Sequence, residues 1–498
     1  MIQGTASSVG KSLMVAALCR IFRDDGFSVA PFKSQNMALN SYVTPDGLEI
    51  GRAQAVQAEA ARIEPEIAMN PILLKPEPAM RSQVVLLGKS IGSMHWSEYC
   101  AMAPGLKDTI RESLEKLRSR YDLVIIEGAG SPAEINLRRD DIVNMRVAEL
   151  AGAPVILVGD IDRGGVFAQL LGTMELLEAA DRARVRGFII NKFRGDLALL
   201  KDGLEFLEKR CGAPVLGVVP WIGKLRIADE DSTALQTRAP RSDAALRIAV
   251  IKLPFIANYD DFAALEHEPG VDLQYVDHPA ALDGADLVII PGSKSTMADL
   301  AWMRREGLVS AIENHASRGG LVLGVCGGCQ VLGEAIEDPY GIESPEPHAR
   351  GLGLLPLRTR FKRKKSTARV IARANPGWFG YNHSAPELSG YEIHMGSVTP
   401  THSDAPAFTV IERNREFARY ADGAVANGGS IIGTMLHGIF ENVSIRSALI
   451  AELRRRKGLA PTDPARAVAS RDAEYDRLAQ VVRISIDMRS LRNLIGIC

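Results

Sequence analysis

Two stretches of the chain place a reactive side chain among small residues. The run Gly324-Val325-Cys326-Gly327-Gly328 follows an apolar strand pattern at 321–325 and precedes a helical pattern at 330–336. A thiol on so tight a strand–turn–helix is a nucleophile elbow, whose small flanking residues permit a strained backbone at the nucleophile. The chemistry this points to is attack by a thiolate on a carbonyl carbon. Upstream, Pro291-Gly292-Ser293-Lys294 ends another strand pattern. The backbone N–H groups of Gly292, Ser293 and Gly327 are candidates for an oxyanion hole. The attack needs a base. His437, in Gly433-Thr434-Met435-Leu436-His437-Gly438, is the candidate, and His394 in Tyr391-Glu392-Ile393-His394-Met395-Gly396 is its rival. His267, His278, His348, His383 and His402 lie in polar, loop-like surroundings and read as surface residues.

The second stretch is Gly4-Thr5-Ala6-Ser7-Ser8-Val9-Gly10-Lys11-Ser12, ahead of an amphipathic helix. Small residues let backbone N–H groups curl around phosphate oxygens, and the helix N-terminus adds partial positive charge. Gly4, Thr5, Ser8, Val9 and Gly10 form the candidate cradle. Lys11 is suited to neutralise the β- and γ-phosphates of ATP, and the Ser12 hydroxyl to ligate Mg²⁺. The two glycines stand one residue further apart than in the standard loop.

Short β-branched runs alternate with amphipathic stretches, which predicts parallel-sheet α/β architecture. Strands are expected at 28–32, 123–127, 155–160, 187–191 and 215–219, with helices at 13–24, 52–62 and 168–180. A polar segment at 229–245 separates a second α/β block. That block opens on a strand at 247–253 and continues through 287–291 and 321–325. Antiparallel strands are expected around 369–373, 391–395 and 431–435, and the last forty or so residues look helical. The domains are therefore 1–230, a linker 231–246, 247–445, and a helical extension 446–498.

The 498 residues are too many for one hydrophobic core. Lys+Arg at 59 against Asp+Glu at 60 offers no nucleic-acid footprint and no polybasic membrane patch. No apolar run approaches the roughly 20 residues of a membrane span, and no signal core precedes Gly4, so a cytoplasmic location is expected. Six cysteines without a regular framework read as reduced thiols. Cys326 and Cys329 also form a C-x-x-C pair, which leaves redox or metal chemistry as an alternative.

The long phosphate loop resembles that of dethiobiotin synthetase and the amide-forming ligases related to it. The resemblance implies that Glu127, in Glu127-Gly128-Ala129-Gly130, is a Mg²⁺ ligand, that Asn191 reads the nucleotide base, and that Lys33 stabilises phosphoryl charge. Asp46 and Glu49 become candidate second metal ligands. The match extends further. Gln35-Asn36-Met37-Ala38-Leu39-Asn40-Ser41, residues 128–137 (GAGSPAEINL), 160–167 (DIDRGGVF), 191–196 (NKFRGD), 291–296 (PGSKST) and 391–396 (YEIHMG) resemble the adenosylcobyric acid synthase family, in its order and over nearly the whole chain.

That resemblance implies a dethiobiotin-synthetase-like domain followed by a class I glutamine amidotransferase-like domain. It implies ATP and Mg²⁺, with glutamine as nitrogen donor. The implied substrate is adenosylcobyrinic acid a,c-diamide, amidated at its b, d, e and g carboxylates through acyl phosphates. Arg138, Arg139 and Arg163 are candidates to hold those carboxylates. The chain departs from ordinary class I glutaminases at Ile439, where a Glu would follow the base, and from the family at Cys329, where an aromatic residue is expected in the elbow. Rival readings are the ligase that amidates the a and c acetates, a ParA-like ATPase switch, and a non-catalytic glutaminase-like regulator.

Overall fold

The computed structural model describes residues 1–497 except 224, 226, 228–240, 242–243, 379–386, 403–404 and 462–470. Most of the expected linker and His383 lie outside the described residues.

Strands apolar on both faces are stable only when covered on both, which favours a parallel sheet with helices on each side. In the first half Ile2–Gly4, Val155–Asp160, Val185–Phe193 and Val215–Pro220 run parallel in that order. A parallel bridge from Ile2 to Glu127 joins them to the pair Leu123–Ile126 and Val29–Phe32. The carboxyl edge of this sheet thus carries Gly4, Glu127, Asp160 and Asn191. The helix Lys11–Asp24 starts at Gly10, whose φ of 101° suits only glycine, and buries Met14 to Phe22 against the sheet. The helix expected at 168–180 is interrupted: Val166–Leu176 ends at an extended Leu177, and Ala179–Arg182 is a separate turn. Leu177 leaves the helix to bury its side chain in the core under this face.

After the strand Val29–Phe32 the chain adds a sheet of Gln35–Met37, Ile72–Glu77, Arg81–Leu86 and Lys89–His95, the last three strands following the helix Arg52–Ala60. A small hairpin, Ser41–Val43 with Glu49–Gly51, leads into the helix Arg52–Ala60. Both lie against the second half of the molecule.

In the second half Val271–Val276, Leu246–Ile251, Leu287–Ile290, Leu321–Val325 and Ile431–Thr434 form a parallel sheet in that order. The strand expected as antiparallel at 431–435 pairs in both senses: Ile431–Thr434 is antiparallel to Ala424–Ala426 on one side and parallel to the elbow strand on the other, its residues buried on both faces like the rest of that sheet. The long strands Leu357–Ala374 and Glu387–Pro400 are antiparallel, as expected, and make a second sheet with Phe408–Arg413 and Glu416–Asp422.

The tail expected as one helical extension divides between the two cores. Val443–Arg456 buries Ile445, Leu449, Ile450 and Leu453 in the core of the second half. Arg471–Ser485 returns to the first half, where Tyr475, Leu478 and Val482 share a core with Leu18, Ile21 and Phe22. Asp25 anchors this return, accepting from Arg483 at 2.7 Å and Arg492 at 2.6 Å.

Candidate active sites

Cys326 stands at the junction of Leu321–Val325 and Gly327–Leu332 with φ 51° and ψ −107°. That conformation is costly for a non-glycine residue and persists only where packing over-determines it. The parallel neighbour of the elbow strand ends at Thr434 and delivers His437 to the same edge, the two elements being tied by a Cys326 N–H bond to Thr434 O at 2.7 Å. The other neighbour ends at Ile290 and delivers Gly292 and Ser293. Gly327 has no room for a Cβ, which would stand 2.8 Å from Ser293 N, and at Gly292 a Cβ would fit only tightly, 3.2 Å from His437 Cε1. The Ser293 hydroxyl turns away to Asp299 at 2.5 Å, so what Ser293 presents near Gly327 is its backbone.

The third partner of this group was not among the sequence candidates. Asp261 Oδ2 lies 2.6 Å from His437 Nδ1, and its Oδ1 accepts from Gly438 N at 2.8 Å. Asp261 sits on the turn Tyr259–Phe262, after the first strand of the second half, and is buried. It occupies the orienting role left open by Ile439. His437 is buried too, and burial alone would lower its pKa. The Asp261 carboxylate and the Cys326 sulfur outweigh that, raising it to about 10. The imidazole face stacks on Tyr391 at 5.2 Å, in planes 15° apart. His394 lines the same small cavity of about 40 Å³. Its ring nitrogen meets the Gly396 carbonyl at 2.6 Å, and burial, outweighing the nearby Glu392 carboxylate, lowers its pKa. Cys329 is fully buried, with its sulfur packed against Gly433, and burial pushes its thiol well up. A bulky aromatic ring would not fit where that sulfur lies.

At the other site a cavity of about 1570 Å³ opens over the phosphate loop. Lys11 Nζ donates to the carbonyls of Ala6 at 2.8 Å and Gly130 at 3.1 Å. Glu127 accepts from Ser12 at 2.8 Å and Lys33 at 3.0 Å, and also from Gln57. Ser8, Gly10, Lys11, Ser12, Lys33, Glu127 and Asn191 all line the cavity. Thr5 bonds instead to Gln169 at 3.1 Å, and the Val9 side chain is buried beneath the loop. Asn191 braces the loop through Val9 O at 2.8 Å, a contact that leaves Gly10 no space for a side chain.

The expectation for Asp46 and Glu49 is corrected: neither lines this cavity. Glu49 is fully buried between Lys75 at 2.9 Å and Lys365 at 2.5 Å. Burial would raise its pKa, but the two ammonium groups hold it well below the usual carboxylate range, so its charge is already neutralised. Asp46 is exposed in the turn of the small hairpin. Arg138, Arg139 and Arg163 line the large cavity, though Arg138 is engaged by Glu178 at 3.0 Å and Asp181 at 2.9 Å. His267, expected at the surface, is half-buried at the cavity wall, with Nδ1 2.5 Å from Ala263 O. The far wall of the cavity is built by Tyr259, Asp260, Leu273 and Gln274 of the second half, so both halves enclose it.

Among the described residues no group of three or more His, Cys, Asp or Glu could hold a metal ion. Glu127 with Ser12 is the kind of sparse oxygen set that suits Mg²⁺, which keeps several waters and shares its shell with substrate phosphates. No helix among those residues is long and apolar enough to cross a membrane.

Comparisons with known proteins agree with this division. Residues 1–234 match the CobQ/CobB/MinD/ParA nucleotide binding domain, and residues 247–445 the CobB/CobQ-like glutamine amidotransferase domain. The chain is 57% identical to a cobyric acid synthase of Sorangium cellulosum, covering 100% of this chain and 98% of that one. Cobyric acid synthases of Dehalococcoides mccartyi strain 195, at 49% identity, and Syntrophobacter fumaroxidans, at 46%, are likewise covered over 100% of this chain and 98% of theirs.

Proposed function

The chain belongs to the cobyric acid synthase family, and from that premise we propose an ATP-driven amidation of the b, d, e and g carboxylates of adenosylcobyrinic acid a,c-diamide. It is a carbon–nitrogen ligase of cobalamin biosynthesis that carries a glutamine amidotransferase domain. The proposal adds the steps and the residues. The observation that supports it is the contact series Cys326–His437–Asp261 in one half together with a phosphate loop at the floor of a large cavity in the other.

Cys326 Sγ attacks the side-chain amide carbon of glutamine, and the oxyanion is held by the N–H groups near Ser293 and Gly327. His437, oriented and charge-compensated by Asp261, passes a proton to the departing ammonia. Water then releases glutamate from the thioester. In the first half a substrate carboxylate oxygen attacks the γ-phosphorus of ATP and ADP leaves, with Lys11 balancing the developing charge. Ammonia attacks the acyl carbon, and inorganic phosphate departs. Ser12 and Glu127 would hold Mg²⁺, which supplies charge neutralisation for the phosphates. Arg139 and Arg163 are suited to the carboxylates of the corrinoid. A cytoplasmic location completes the reading.

The test is incubation with glutamine, ATP, Mg²⁺ and adenosylcobyrinic acid a,c-diamide, followed by mass spectrometry of the corrinoid. The expected result is successive conversion of four carboxylates to amides. Turnover of cobyrinic acid lacking the a and c amides, without turnover of the diamide, would overturn the substrate assignment.

A further inference from the structure

The small cavity at Cys326 is walled by both halves of the molecule. Beside Cys326, His437 and Gly292 it meets Lys294, Glu343 and Lys365 of the second half, and Lys75 and Gln83 of the sheet added to the first. Behind this wall Glu77 accepts from Lys294 at 2.5 Å. Glu49, fully buried, accepts from Lys75 at 2.9 Å and Lys365 at 2.5 Å. Three ammonium groups thus share two carboxylates, which leaves one positive charge in excess around Lys75 and Lys365. Burial, and after it the Lys75 charge, lower the Lys365 pKa to about 8 against the pull of Glu49. Among the described residues the one carboxyl on the wall itself is Glu343, which accepts from the backbone N–H groups of Thr296, at 2.7 Å, and Met297. Burial, outweighing Lys294, raises its pKa to about 8. A carboxylate and an ammonium that compensated each other would be driven apart in pKa, whereas here each is pushed toward its neutral form.

An excess ammonium and an uncompensated carboxyl in one pocket are the complement of a molecule that carries both a carboxylate and an ammonium group. Glutamine has both on its α-carbon, away from the amide that Cys326 attacks. The cavity of about 40 Å³ has room for only a few waters, so the α-carboxylate must take over a contact that the pocket makes within itself. The contact suited to exchange is Gln83 Oε1, a neutral oxygen that accepts from Lys365 at 3.0 Å. A carboxylate in its place completes an ion pair, a stronger bond than a neutral acceptor makes. We infer that Lys365 and Glu343 recognise the α-carboxylate and the α-ammonium of glutamine, Gln83 of the first half yielding its place on Lys365 to the carboxylate. A glutamine residue within a peptide carries neither charge, so this pair restricts the thiol to the free amino acid. The inference rests on the glutaminase reading above.

The measurement is ammonia release by the full chain, with ATP, Mg²⁺ and the corrinoid present, from three amides. These are L-glutamine, 4-aminobutanamide, which lacks the α-carboxylate, and glutaramate, which lacks the α-ammonium. In the wild type kcat/KM for each analogue falls below that for glutamine by about 10²-fold or more, because each leaves one charge of the pocket unpaired. Lys365→Met raises the KM for glutamine by about tenfold or more and moves kcat much less. It also abolishes the discrimination against 4-aminobutanamide while keeping that against glutaramate. Lys365→Arg, which keeps the charge, restores part of the discrimination. Glu343→Gln gives the mirror image, accepting glutaramate and still rejecting 4-aminobutanamide. A merely structural role would lower all three substrates together, and that result in both variants overturns the inference. So does a wild type that takes 4-aminobutanamide as readily as glutamine, a result that needs no variant to fold. A wild type that releases no ammonia from glutamine overturns the glutaminase reading itself, so the two failures are told apart before any variant is compared.

Discussion

At the cysteine site the chemical groups already touch one another, whereas at the phosphate loop they touch the protein that surrounds them. Asp261, His437 and Cys326 form a buried series with short contacts, and the latter two line a cavity of about 40 Å³. Around the loop, Lys11 rests on two carbonyls, while Ser12 and Lys33 rest on Glu127, at the floor of a cavity of about 1570 Å³. A glutaminase attacks one small amide, and preorganised dipoles serve it best. On the proposed function the synthetase half must admit a nucleotide and a corrinoid, so Lys11 rests on backbone carbonyls that a phosphate can replace. The same chain thus carries one site built for a fixed reaction geometry and one built for exchange.

Four changes would break or sharpen that contrast. Cys326→Ala should cut glutamine-driven amidation by roughly 10⁴-fold, because the nucleophile of the series is gone. Ammonium-driven amidation should persist, which a coupled assay with each donor would check. Loss of both would mean that the two sites are not chemically separable.

Asp261→Asn should lower glutamine-driven turnover by roughly 10³-fold while keeping the imidazole in place. It also carries a pH signature. His437 is raised to about 10 in the folded protein against an unfolded value of 6.5. Its contribution to stability is therefore fully present below pH 6.5 and lost as pH rises through about 10. The stability gap between wild type and Asp261→Asn should be widest at the acid end of that window and close at its alkaline end, as followed by denaturant unfolding. A pH-independent gap would remove Asp261 from the charge pair.

Lys11→Met should lower amidation by about 10²–10³-fold with either donor, since phosphoryl charge loses its fixed cation. Glutamine hydrolysis measured without the corrinoid should remain. The smallest effect falls on the elbow helix. Cys329→Tyr forces a ring against Gly433 and should cost about 1–3 kcal/mol of stability by overpacking, read as a fall in the denaturation midpoint.

Much of this was legible in the chain. The Gly4–Ser12 loop and the Gly324–Gly328 elbow are local devices, built from residues adjacent in sequence whose backbone conformations only glycine and small residues permit, so spacing alone exposes them. The strand at 431–434 was legible as an antiparallel strand, but its parallel pairing with the elbow strand was not, because an apolar run does not say which second neighbour it will join. Asp261 was not legible at all. It lies 176 residues before His437 and does its work only because the first and last strands of the parallel sheet end at the same edge. Glu49 shows the converse: its type and position suggested a metal ligand, but folding brings Lys75 and Lys365 onto it from 26 and 316 residues away. The sequence by itself determined which reactive groups exist and the local turns that expose them, because those depend on nearest-neighbour sterics. Only the tertiary structure decided which charges meet, because Coulomb energy in a buried site is set by distances between residues that the chain keeps far apart.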